Sequence, residues 1–77
     1  MRDLPDDDTW IHDRRRAIGD RVRAERERQE LTQEQVILAA RIDRVTIWRV
    51  ETGQEMKLST LLKIARVLDV PLADLVR

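Results

Sequence analysis

Apolar residues along this chain recur at helical spacing and nowhere alternate with period two over a useful length. The pattern therefore predicts helices and no sheet. From Trp10 to about Gln29 there is no proline and a single glycine, Gly19, with Ile11, Ile18 and Val22 as sparse apolar points. Opposite charges three and four residues apart fill the rest of that stretch, which supports a largely solvated first helix. Asp8 or Thr9 is expected to cap it, and the neighbouring aspartates suit the positive end of its dipole. Thr32 followed three residues later by Gln35 is a capping box. It opens a short apolar helix through Val36, Ile37, Leu38, Ala39 and Ala40. Asp43 is expected to cap a further helix over 44–52, which Gly53 stops. Two short helices joined by about three residues make a helix-turn-helix unit. Leu58, Leu61, Leu62, Ile64, Ala65 and Leu68 predict a fourth helix over 58–68. Asp69-Val70-Pro71 breaks it, and Leu72, Leu75 and Val76 form a short last turn. The fold class is all-α.

Charge changes this picture in one respect. The chain has 77 residues, with fifteen Lys and Arg against fifteen Asp and Glu. Neutral balance argues weakly against a nucleic-acid partner. Residues 1–8, however, carry four aspartates against Arg2, so the remainder is mildly basic. We therefore divide the chain into an acidic flexible tail, 1–8, and a helical domain, 9–77. A domain of this size buries roughly 60% of its unfolded surface, so its stability is expected to be marginal without a second copy.

The same composition excludes several function classes. There is no cysteine and one histidine, His12, so disulfides are excluded and a metal site is not expected. No cofactor is expected. No apolar run approaches the roughly 18 residues of a membrane helix, so no membrane partner is expected. The acidic start shows no secretory signal, and a cytoplasmic location is the expectation. His12 lies on the charged first helix near Asp8 and Asp13, without a nucleophile–base set or a glycine-rich phosphate loop. An enzyme is not expected.

Residues 31–53, LTQEQVILAARIDRVTIWRVETG, resemble the helix-turn-helix of the lambda-repressor and Cro family, also called the xenobiotic-response-element family. The matching points are Leu31-Thr32-Gln33-Glu34, Val36, Ala40, Ile42, Arg44, Thr46-Ile47, Arg49-Val50-Glu51 and Gly53. Residues 58–75 look like that family's fourth and fifth helices, and Ile18-Gly19, Val22-Arg23 and Arg26 look like its first. The resemblance spans about residues 17–76. It implies a compact five-helix lambda-repressor-like bundle, here with an N-terminally extended first helix, that binds double-stranded DNA as a transcriptional regulator, in particular a repressor. The family usually has glycine where this chain has Glu30, Arg41 and Asp69, at helix ends often in the left-handed conformation. A side chain there costs on the order of 1–2 kcal/mol, with aspartate milder. Ile37 replaces a common alanine, and the loop from Gly53 to Leu58 is about one residue short. The extra turns around Trp10-Ile11, with Trp10 pinning them, or a dimer contact are expected to compensate.

Stepping 100° per residue along 44–52 puts Ile47 and Val50 on one side, with Glu51 close by. Val45, Arg49 and Thr52 fall opposite, and Arg44 and Trp48 lie on the flanks. An ordinary surface helix rarely shows valine and tryptophan to water, so this face calls for a partner. The major groove accepts one helix, and arginine donates two bonds to guanine O6 and N7. Arg44 and Arg49 are the candidate base readers, and Val45 suits a thymine methyl. Trp48 faces DNA, the core flank or a protein partner. Thr46, Thr52 and Lys57 are candidate phosphate contacts. The resemblance implies that Gln33 contacts a phosphate and braces the recognition helix, and that Arg26 and Glu51 form a structural pair.

The expected assembly is a homodimer with its two recognition helices one helical turn of DNA apart. Leu72, Leu75 and Val76 serve either that pairing or the core. The competing reading is an antitoxin or other protein-interaction module on the same fold, with a toxin or another protein as partner. When bound to DNA the protein is expected on the nucleoid.

Overall fold

The computed structural model describes residues 2–77. Five helices and no strand are present among them: α1 (Thr9–Arg28), α2 (Gln33–Ala40), α3 (Arg44–Glu51), α4 (Leu58–Leu68) and α5 (Leu72–Val76). Met1, part of the expected acidic tail, lies outside the described residues. Residues 2–8 are exposed and carry no helix.

Helix starts follow local chemistry. At Thr32 the hydroxyl accepts the Gln35 backbone N–H at 3.1 Å, and the Gln35 side chain accepts the Thr32 N–H at 2.7 Å. At Asp43 the carboxylate accepts the Thr46 N–H at 2.7 Å. The start of α1 departs from expectation. Asp8 occupies the cap position without a side-chain cap bond, and Asp7 Oδ1 accepts the Thr9 N–H at 3.0 Å instead. Three aspartates in a row compete for the same few exposed N–H groups, and the composition does not say which one wins.

The core follows the spacing. On α4 Leu61, Ile64, Ala65 and Leu68 are buried, a stripe of one helical face. Val22 from α1, Val36 and Ala40 from α2, Ile47 and Val50 from α3 and Leu75 from α5 complete it. Leu72 and Val76 pack against this cluster. Of the C-terminal apolar residues, Leu75 therefore closes the core, and Leu72 and Val76 are partly buried beside it. Leu38 is largely exposed because only the Val36 and Ala40 side of α2 faces inward.

Trp10 does not pin the N-terminal extension: it is 42% exposed and stays outside the core. Arginines do that work. Arg14 Nη2 donates to the Val76 carbonyl at 2.7 Å, Arg21 donates to the Arg77 carbonyl, and Arg15 pairs with Glu55 at 2.7 Å. They tie α1 to α5 and to the loop after α3.

Two glycines are required by contact. A Cβ on Gly19 would run into the Val50 carbonyl oxygen, so α1 and α3 cross with their backbones nearly touching. Gly53 has φ +77, and a Cβ there would stand 2.9 Å from the Arg16 Cα. By contrast, Glu30, Arg41 and Asp69 adopt φ of 58, 56 and 56 with full side chains. These are the left-handed helix ends expected from the sequence, held without glycine.

Opposite substitutions at these two kinds of site should move stability in opposite directions. Glu30→Gly and Arg41→Gly each remove left-handed strain of about 1–2 kcal/mol, less about 0.4–1 kcal/mol for the extra entropy of an unfolded glycine. At about 4–8 °C per kcal/mol for a domain this small, each should raise the thermal midpoint by a few degrees. Gly19→Ala should lower it. Circular dichroism melting checks both signs, and a rise for Gly19→Ala would contradict the close crossing.

Candidate nucleic-acid interface

The geometry of α3 begins with what is buried beneath it. Ile47 and Val50 are sealed in the core, and Glu51 is buried beside them. Arg26, on α1, meets that carboxylate with two bonds: Nε to Oε2 at 2.7 Å and Nη2 to Oε1 at 3.1 Å. Its Nη1 donates to the Leu31 carbonyl at 2.8 Å. Gln33, the first residue of α2, donates from Nε2 to Glu51 Oε1 at 3.1 Å. One carboxylate thus collects α1, α2 and α3. The Glu51 hydrogen bond is also the main reason the Arg26 guanidinium is held above its already high basicity. No buried side-chain nitrogen or oxygen lacks a partner among the described residues, which is the condition for such a pair to be tolerated inside a small core.

With that side fixed, the opposite face of α3 is presented to solvent. Val45 and Trp48 are each 53% exposed, and Arg44 and Arg49 are exposed. The expected site residues other than Thr52 fall into two groups. Gln33, Arg44, Val45 and Trp48 line one shallow recess, on the α2 side. Thr46, Arg49 and Lys57 share a second with the start of α4. Trp48 is therefore neither swallowed by the core nor fully free. Its ring stands beside Val45 and Arg44 at the edge of α2.

Some side chains already have partners. The Thr52 hydroxyl donates to the Trp48 carbonyl at 2.7 Å, closing the end of α3, so its proton is used within the chain. Arg44 Nη2 donates to Glu34 Oε2 at 2.5 Å across the turn between α2 and α3. Arg49 and Lys57 form no ion pair among the described residues. Glu55, which would repel a phosphate near Lys57, is matched by Arg15 of α1.

Sequence reasoning passed over Glu34 and Arg15. Glu34 entered only as part of the Leu31-Thr32-Gln33-Glu34 run of the family resemblance. Only the helix-turn-helix geometry brings it to the first turn of α3. Arg15 was one of three consecutive arginines, and nothing local distinguishes the one that reaches Glu55.

The Asp43 carboxyl is held below the usual aspartate range by hydrogen bonding from Thr46, side chain first and then backbone N–H, with Arg49 adding a favourable charge. No cluster of metal-ligating side chains, and no helix long and apolar enough to cross a membrane, occurs among the described residues.

The helix-turn-helix domain family matches residues 17–77. Among solved structures, the chain is similar to the restriction-modification controller protein C.AhdI from Aeromonas hydrophila. The two are 32% identical, with a TM-score of 0.75, over 79% of this chain and 94% of that one. No curated protein shows significant similarity. The first eight residues of α1, Thr9 to Arg16, precede the matched family segment.

Two outcomes follow from this geometry. Arg26→Ala strands a buried carboxylate, which should cost about 3–5 kcal/mol and unfold the domain rather than selectively weaken ligand binding. A thermal midpoint equal to the parent's would refute this. For Asp43 the folded carboxyl is the stronger acid, so its cap stabilises α3 above the ordinary aspartate range and is lost as pH falls through the lowered folded value. Asp43→Asn caps without titrating and should make the midpoint less sensitive to acid. An unchanged acid limb in a melting series would count against the cap.

Proposed function

The chain belongs to the helix-turn-helix domain family, in its lambda-repressor/Cro-like form, whose members are DNA-binding regulators rather than enzymes. On that premise we propose that it is a sequence-specific repressor that inserts α3 into the major groove of double-stranded DNA. The observation that carries this reading is the exposed face of α3. Val45 and Trp48 stand half out of the protein between two exposed arginines, while the opposite side of the same short helix is locked in the core.

Arg44, in the first turn, and Arg49, one turn on, are assigned to base edges, and each bidentate contact to guanine is worth about 1–3 kcal/mol of discrimination. Val45 is assigned to a thymine methyl and Trp48 to the groove wall beside it. Thr46 and Lys57 are assigned to backbone phosphate on the α4 side. Gln33 is at once a brace, through Glu51, and the residue at the N-terminus of α2, where backbone N–H groups favour a phosphate. Thr52 is the weakest of the phosphate assignments, because its hydroxyl proton is already engaged.

The protein acts as a homodimer on a palindromic site. Leu75 is buried, while Leu72 and Val76 are packed on the core but only partly buried, so their remaining surface is open to that pairing. Of the acidic tail, residues 2–8 lie outside the DNA-binding body, 9–77. The relative's name is that of a restriction-modification controller, and control of a restriction-modification system is the form of repression we favour.

Selection from a random duplex pool, followed by fluorescence anisotropy, tests this. The selected duplex should bind at least about 1,000-fold tighter than random DNA. Arg49→Ala should reduce that ratio without moving the melting temperature. Affinity should fall steeply with salt as phosphate contacts release counterions. No preference for any duplex at low salt would end the proposal.

A further inference from the structure

We infer that Glu34 is a positioning residue for base recognition: its carboxylate holds the Arg44 guanidinium in place while leaving one two-donor edge of it free for guanine. This rests on the reading that α3 enters the major groove. Arg44 opens α3 with its side chain 70% exposed, and nothing in its own helix restricts so long a chain. Glu34 is the second residue of α2, and its side chain is 52% exposed at the same face. The 2.5 Å bond from Arg44 Nη2 to Glu34 Oε2 joins the two helices across the turn. Its base is rigid on both sides. α2 is fixed by the Thr32 capping box and by Gln33 on Glu51, and α3 by the Asp43 cap.

The donor geometry of arginine makes this contact orienting rather than saturating. The planar guanidinium offers two edges of paired N–H donors, one from Nε and Nη2 and one from Nη1 and Nη2. A single acceptor on Nη2 takes one N–H. Whichever it takes, the other edge keeps both of its donors, and two parallel donors are what guanine N7 and O6 accept. The carboxylate also acts on the alternatives. Phosphate is the strongest competing acceptor for a free arginine, and an anion at the interface opposes it. Glu34 therefore lowers general affinity for a polyanion and raises the share of Arg44 available to a base edge, which is selectivity through a repulsive element.

The test uses the full chain, circular dichroism melts and fluorescence anisotropy on five duplexes. Four carry each base in turn at the position where Arg44→Ala removes the parent's guanine preference, and the fifth is random DNA. Glu34→Ala should bind random DNA more tightly than the parent while its guanine preference at that position falls by about three- to tenfold, within the range of one bidentate contact. Glu34→Gln removes the charge but keeps an acceptor. It should gain the same affinity for random DNA and retain more of the preference, and it serves as the second variant should the alanine form melt early. Tighter binding to all duplexes with the guanine preference intact would reduce Glu34 to a repulsive surface charge and overturn the inference alone. A selected duplex that shows no base preference lost in Arg44→Ala would overturn base reading by Arg44 itself, and the role of Glu34 with it.

Discussion

The Glu51 carboxylate is the point on which the architecture turns. It sits on the inner side of α3, and it receives Arg26 of α1 through two bonds and Gln33 of α2 through a third. The remaining arm of Arg26 takes the Leu31 carbonyl between α1 and α2. A buried pair of this kind adds little net stability over a well-packed apolar substitute, yet loss of either member alone leaves an uncompensated charge. Its value lies in direction. Apolar contacts between Ile47, Val50 and the core fix the depth of α3 but are indifferent to small rotations. Charge-assisted bonds are not. They set which residues of a helix only eight residues long face outward.

That constraint links the core to the exposed surface. Because Ile47, Val50 and Glu51 are held from within, Val45, Trp48 and Arg49 have no option but to face out. Gly19 serves the same end. The lack of a Cβ lets α1 press against the Val50 carbonyl, and a thicker residue would tilt α3 away from the α1 scaffold. The loop that follows α3 is steadied by Gly53 against Arg16 and by Arg15 on Glu55. The extended first helix is therefore a buttress for α3 and the loop after it, achieved by arginines and not by its tryptophan.

Much of this was legible in the sequence, for local reasons. Thr32 with Gln35 and Asp43 before Arg44 announce helix starts because capping chemistry operates over three residues. The α4 stripe at Leu61, Ile64, Ala65 and Leu68 announces its own inner face because burial follows the helical period. Glu30, Arg41 and Asp69 stood at helix ends where a left-handed residue was expected, and the backbone adopts that conformation at all three. What could not be read were choices among equivalents. Asp7 rather than Asp8 takes the Thr9 N–H, and Arg15 rather than its neighbours takes Glu55. Such outcomes depend on ångström-scale placement of long or adjacent side chains that composition treats alike.

By itself, then, the chain determined five helices, their ends, and which side of α3 is greasy and which is cationic, because propensity, capping and periodicity act within a turn or two. Only the tertiary structure decided that Leu75 belongs to the core with Leu72 and Val76 packed against it, that Trp10 stays outside it, and that Glu34 meets Arg44 across ten residues of sequence. Those facts depend on where one helix lies relative to another. Relative placement is set by the packing of all the inner faces at once, and no single stretch of residues carries it.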